Sequence, residues 1–75
     1  MNTKLSSRGI DAVRHGVRRA AHELANRVGS LQAAVTCGVT ETTMRRWMAG
    51  KCPNYTMALR LCPILRVDSE TGKTL

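Results

Sequence analysis

Apolar residues return at three- and four-residue steps through the first third of the chain: Ile10, Val13, Val17, Ala20, Ala21, Leu24 and Val28. That period gathers all seven on one face of an α-helix and predicts a helix from about residue 8 to 28. Asp11, His15, Arg19, His22 and Asn26 fall on the opposite face, with Arg14 and Arg18 at one boundary. Gly16 is the one poor helix former in the middle, costing about 1 kcal/mol relative to Ala. Residues 1–7 are polar with no apolar period and predict a mobile arm, with Ser6 or Ser7 placed to cap the helix that follows.

Gly29 stops this helix, and Ser30 is positioned to cap the next by accepting from a free backbone amide. The second helix is short, with Leu31, Ala33, Ala34 and Val35 as its apolar contacts up to Cys37-Gly38-Val39, where Gly38 supplies the left-handed backbone of a tight turn. Thr40 caps a third helix reaching about Ala49. Met44, Trp47 and Met48 share one of its faces, and Thr42, Arg45, Arg46 and Ala49 share the other. Gly50 ends it, Lys51-Cys52-Pro53 makes a loop, and Asn54 caps a fourth helix carrying Met57, Ala58, Leu61, Ile64 and Leu65. Pro63 lacks an amide donor and is expected to kink or end that helix near Leu61 or Cys62. Residues 67–75 are polar and read as a frayed tail. No strand pattern, repeat or low-complexity stretch appears.

Composition narrows what such a domain does. With 75 residues and 8.2 kDa the chain is one compact unit. A domain of this size buries only about 60% of its unfolded surface, which leaves little room for a deep substrate pocket. Twelve Lys plus Arg against five Asp plus Glu give a formal charge of +7, which favours a polyanionic partner, nucleic acid before membrane. No apolar run approaches the roughly 20 residues of a membrane span. Charged residues from Asp11 to Arg19 interrupt what would have to be the core of a signal peptide, so the expected location is the cytoplasm. Cys37, Cys52 and Cys62 are odd in number and widely spaced, as expected of reduced thiols rather than a disulfide framework.

The segment from Ser30 to Ala49 carries the chemistry. A helix-turn-helix needs a small residue where its helices touch, a glycine in the turn, and apolar residues that dock the second helix with its outer face free. Ala34, Gly38, Val39, Met44 and Trp47 fill those places. With them, Trp47-x-x-Gly50-x-x-Pro53 and then Tyr55, Met57, Leu61 and Leu65-x-Val67 resemble the lambda-repressor/Cro-like helix-turn-helix family over about residues 24–68. Within it, the run from Gly29-Ser30 through Arg46-Trp47 to Pro53 looks most like phage regulators of the Cro, repressor and cII-activator kind. Cys37 stands where that family usually has an aliphatic residue, and Pro63 interrupts a usually continuous helix.

The resemblance implies an all-α, compact four- to five-helix domain over residues 8–66, its central motif at 30–49, which binds double-stranded DNA. A recognition helix of this kind lies in the major groove while the preceding helix crosses the backbone. Thr40, Glu41, Thr42, Arg45, Arg46 and Ala49 are then the expected base readers. A guanidinium at Arg45 suits guanine O6 and N7, worth about 1–3 kcal/mol of discrimination. Glu41 suits cytosine N4 or the orientation of an arginine. Ser30, Gln32 and Lys51 are expected phosphate contacts, since unpaired amides and the helix dipole at a helix start favour anions. The expected outcome is an operator-binding transcription regulator acting as a homodimer through the fourth helix and tail. The rivals are a cII-like activator and a small protein-interaction module, an inhibitor or antitoxin, on the same scaffold. A membrane-active basic helix is a more distant third.

Other features read more simply. Arg14, Arg18, Arg19 and Arg27 scatter around the first helix and suit a solubilising surface as well as phosphate contact. Met44, Trp47, Met48 and Met57 are core fillers, and two aromatic residues give single-stranded nucleic acid little to stack on. His22-Glu23-Leu24-Ala25-Asn26 lacks the second histidine of the H-E-x-x-H zinc motif, and the cysteines miss the paired spacing of a structural zinc site. No catalytic residue, metal, cofactor or small-molecule substrate is expected.

Overall fold

The helices end where the sequence lets the backbone turn. A computed structural model describes the backbone of residues 3–75 and the side chains from residue 9 onward. Among the described residues the chain is all-helical, with α1 at Thr3–Val28, α2 at Ser30–Cys37, α3 at Glu41–Met48 and α4 at Tyr55–Leu65. Gly29 separates α1 from α2 with a φ of 95°, and Gly38 closes α2 in the left-handed region at φ 72°, ψ 30°. The Gly38 amide donates to Val35 O and the Val39 amide to Ala34 O, so the α2–α3 turn satisfies the last carbonyls of α2. Thr40 caps α3 by accepting from the Thr43 amide at 3.2 Å, and Asn54 caps α4 by accepting from the Met57 amide at 2.8 Å.

Three boundaries differ from the sequence reading. The expected arm is already helical from Thr3, so Ser6 and Ser7 lie inside α1 and do not precede it; residues 1 and 2 lie outside the described residues. Ser30 is the first residue of α2, and the cap position belongs to Gly29, which has no side chain to offer. Pro63 does not break α4, which runs on to Leu65 and closes with Arg66 in the left-handed region at φ 58°. The proline sits on the exposed side of α4, where the carbonyl it leaves without an amide partner is within reach of water.

α1, 26 residues long, is the platform: α2, α3 and α4 all pack against it. α3 touches α1 and α2 but not α4, and this leaves one side of α3 open. The core is built from Val13, Val17, Ala21, Ala25, Ala33, Ala34, Cys37, Met44, Trp47, Ala58, Leu61, Cys62 and Val67. Five of these are alanines, whose small side chains let the helix backbones come close. Met44 and Leu61 are fully buried, each worth about 1.5–3 kcal/mol of apolar burial.

The periodicity misjudged five apolar positions. Val28, at the end of α1, is half exposed, and Leu31 and Val35 on α2 are 62% and 64% exposed. Ile64 on α4 is also half exposed. Ala33, Ala34 and Cys37 make the inward face of α2, which leaves the i, i+4 pair Leu31 and Val35 on the outside. Val67, read as part of the tail, is instead buried.

The tail is folded. Val67 pairs with Thr74 in an isolated antiparallel bridge, Asp68 N donates to Lys73 O, and Leu75 N donates to Arg66 O. Inside this small hairpin the Asp68 carboxylate accepts from the amides of Glu70 and Thr71 at 2.7 and 3.1 Å. Those two amides, Glu70 first, hold the Asp68 carboxyl below its ordinary value. Gly72, at the hairpin's end, is buried against the backbone of Ala12 and Gly16 in α1.

Candidate nucleic-acid interface

α3 is an amphipathic helix one side of which stays in the core. Met44 and Trp47 face inward and are buried, and Met48 packs at the edge of the core. Thr42, Arg45, Arg46 and Ala49 are exposed together on the other side. The sequence pattern brought these four to one face correctly. Ala34, Gly38 and Val39 also stand at the α2–α3 junction as expected: Ala34 is buried, Gly38 is left-handed and Val39 is partly buried against the core.

Three of the expected base readers, Thr40, Glu41 and Arg45, already make side-chain hydrogen bonds within the protein. The Thr40 hydroxyl accepts from the Thr43 amide and donates to Thr43 Oγ1 at 3.0 Å, so it serves as the α3 cap. Glu41, the first residue of α3, accepts at Oε2 from the Ser30 hydroxyl at 2.8 Å and from Arg45 Nη2 at 3.1 Å. The Ser30 hydrogen bond foremost holds the Glu41 carboxyl below its ordinary value; desolvation opposes it, and the charge and hydrogen bond of Arg45 add to the lowering. The Ser30 hydroxyl proton is therefore directed to Glu41. What α2 presents at its start is the first-turn amides of Ser30, Leu31 and Gln32, which have no carbonyl one turn back within the helix.

Lys51 and Gln32 are exposed. The Lys51 amide donates to Arg46 O at 3.0 Å, which fixes the start of the α3–α4 loop while its side chain extends outward. Arg45 is well exposed, with 69% of its side-chain surface accessible.

Two arginines of α1 have a structural task that the sequence left open. Arg14 Nε donates to Pro53 O at 2.8 Å, and Arg18 Nη1 donates to Trp47 O at 3.3 Å. Cys52 Sγ lies 3.1 Å from His15 Nδ1. These three contacts tie α1 to the end of α3 and to the loop after it, and Arg18 also brings a positive charge to a helix C-terminus, where it is favoured. The sequence gives α1 its arginines but not the carbonyls they reach, which lie 29 and 39 residues away. Arg19 and Arg27 are exposed.

Among the described residues no group of three or more His, Cys, Asp or Glu side chains is placed to hold a metal ion, and no helix is long and apolar enough to cross a membrane. The Cys37 and Cys62 thiols are buried, and burial pushes both up from the ordinary cysteine value, with the Asp68 charge adding to the effect at Cys62. Comparison with protein-family models, with curated proteins and with solved structures finds no match.

Proposed function

We propose that this chain is a sequence-specific double-stranded DNA-binding transcription regulator of phage or bacterial type, with α2 and α3 as its helix-turn-helix. The observation that carries this reading is the division of α3: Met44 and Trp47 buried, Thr42, Arg45, Arg46 and Ala49 exposed together on a helix that α4 leaves open. An eight-residue helix with that outer face fits a major groove, with Thr42 and Ala49 small enough to approach base edges and Arg45 and Arg46 long enough to reach them. The α2 first-turn amides, Gln32 and Lys51 are the phosphate contacts. One such helix reads only a few base pairs, so two copies bind an operator with half-sites about 34–36 Å apart, pairing through α4 and the tail, where Tyr55 and Leu59 are exposed one turn apart.

Selection of bound duplexes from a random pool tests the reading, followed by titration of the selected duplex against wild type and Arg45→Ala. A selected consensus, and a loss of affinity or base preference in the variant, support it. A protein that shifts no duplex at low salt, or an Arg45→Ala variant with unchanged affinity and preference, rejects it.

One observation favours a second reading, a protein-interaction module: Val28 at the end of α1 and Leu31 and Val35 on the outer side of α2 are exposed apolar residues. On that reading Leu31→Ser and Val35→Ser abolish partner binding, and duplex DNA is ignored.

A further inference from the structure

The Ser30–Glu41–Arg45 chain of hydrogen bonds does more than fasten α2 to α3. Oε2 of Glu41 takes both protons, from Ser30 at 2.8 Å and from Arg45 Nη2 at 3.1 Å. The other carboxylate oxygen, Oε1, has no hydrogen-bond partner among the described residues. Arg45 uses one of the five N–H donors of a guanidinium on this contact, so four remain in a planar fork. At the start of α3 the protein therefore holds donors and an acceptor side by side, four residues apart on one helix, with Ser30 of α2 fixing the acceptor.

Resting on the DNA-binding reading above, we infer that Arg45 and Glu41 act together as one reading unit for a single G·C base pair, with Ser30 as the positioning residue. In the major groove a G·C pair presents guanine N7 and O6, both acceptors, and then the cytosine N4 donor. The free fork of Arg45 matches the two acceptors, and Oε1 of Glu41 matches the donor. An A·T pair presents acceptor, donor, acceptor and a methyl group, which leaves the fork without two adjacent acceptors and sets Oε1 against an acceptor or a methyl. A reversed C·G pair puts the donor under the guanidinium. The Glu41–Arg45 contact also keeps the carboxylate beside a positive charge, which offsets its repulsion from the phosphates on either side of the groove.

The two side chains otherwise read independently: an arginine alone contacts guanine, and a glutamate alone reads a cytosine at some other position. The coupled unit differs from that in one measurable respect, the base pair at which each substitution is felt.

The experiment uses the full chain and the duplex selected by wild type from a random pool. Each position of that duplex is replaced in turn by the other three base pairs, and affinities are measured for wild type, Arg45→Ala, Glu41→Gln, the double variant, Ser30→Ala and Ser30→Thr. Circular dichroism establishes that each variant is helical before it is titrated. Arg45→Ala and Glu41→Gln are each expected to lose roughly tenfold of discrimination at the same G·C pair, and the double variant to lose less than the product of the two. Ser30→Ala weakens preference at that pair only, and Ser30→Thr, which keeps the hydroxyl, restores it. The inference is overturned if the two substitutions act at different base pairs, if Glu41→Gln leaves preference intact, or if the consensus contains no fixed G·C pair. Wild type that binds no duplex overturns the DNA-binding reading itself and the inference with it, a result distinct from all three.

Discussion

Gly16 in α1 and Gly72 in the tail meet backbone to backbone: a Cβ added to Gly16 would collide with the carbonyl of Gly72, and one added to Gly72 would collide with the carbonyl of Ala12. In the sequence Gly16 reads as a flaw in a helix. In the folded chain it is the slot into which the C-terminal hairpin closes, and this contact converts residues 67–75 from a polar tail into part of the domain.

Gly16→Ala is expected to destabilise the protein. On an isolated helix the change gains about 1 kcal/mol, but backbone displacement in a packed site costs about 1–3 kcal/mol, and the collision here is with main chain that has no rotamer to yield. Thermal or urea unfolding checks the sign. A more stable Gly16→Ala variant would sink the idea that the hairpin seats on α1.

Arg14→Met and Arg18→Met are each expected to lower stability by about 1 kcal/mol, the typical net worth of a hydrogen bond. Each leaves a carbonyl, of Pro53 or Trp47, without its side-chain donor. Arg19→Met, at an exposed position, serves as the control and leaves the urea midpoint nearly unchanged. Equal midpoints for all three variants would assign the α1 arginines to solvent.

Lys51→Ala is expected to weaken binding to all duplex sequences alike and to reduce the slope of log affinity against log salt by about 1. A phosphate contact carries no base information, so a change in the selected consensus would contradict this role. Filter binding at several salt concentrations gives the slope.

Acid stability follows from Glu41 and Asp68, whose carboxyls sit below their ordinary values of 4.5 and 3.8. A carboxyl depressed in the folded state contributes stability above its unfolded value and loses it as pH falls through the folded value. Stability from these groups is therefore constant at neutral pH and declines below about pH 4.5 for Glu41 and below about 3.8 for Asp68. Glu41→Gln and Asp68→Asn each flatten part of that decline in acid unfolding curves; curves parallel to wild type would show that neither contact contributes.

Thiol labelling under native conditions is expected to mark Cys52 first, because Cys37 and Cys62 are buried and their thiols resist ionisation. Mass spectrometry of digested protein gives the order. Labelling of Cys37 or Cys62 at the rate of Cys52 would mean that the core opens far more often than this packing implies.

The helices and the caps of α3 and α4 were legible in the sequence because those signals are local. Thr40 and Asn54 reach amides three residues on, Gly38 needs only its own backbone freedom, and the apolar spacing of Met44 and Trp47 names the buried side of α3. The exposed group Thr42, Arg45, Arg46 and Ala49 followed from the same spacing. Ser30 and Glu41 were each singled out, yet nothing in an eleven-residue separation says that their side chains touch.

What the tertiary structure alone decided depends on contacts between distant segments. Periodicity shows that a face is apolar but not how wide a face its partners cover, so Leu31 and Val35 were assigned to a core that Ala33, Ala34 and Cys37 fill without them. Arg14 and Arg18 look like surface charge until Pro53 O and Trp47 O arrive beside them. The tail has too few apolar residues to announce itself, and it is held by backbone hydrogen bonds and by the missing side chains of Gly16 and Gly72, features written in residues that carry almost no pattern of their own. The sequence by itself determined four helices and the outward chemistry of α3; tertiary packing decided which charges were left free and where the end of the chain would lie, because both depend on distances that only the closed fold sets.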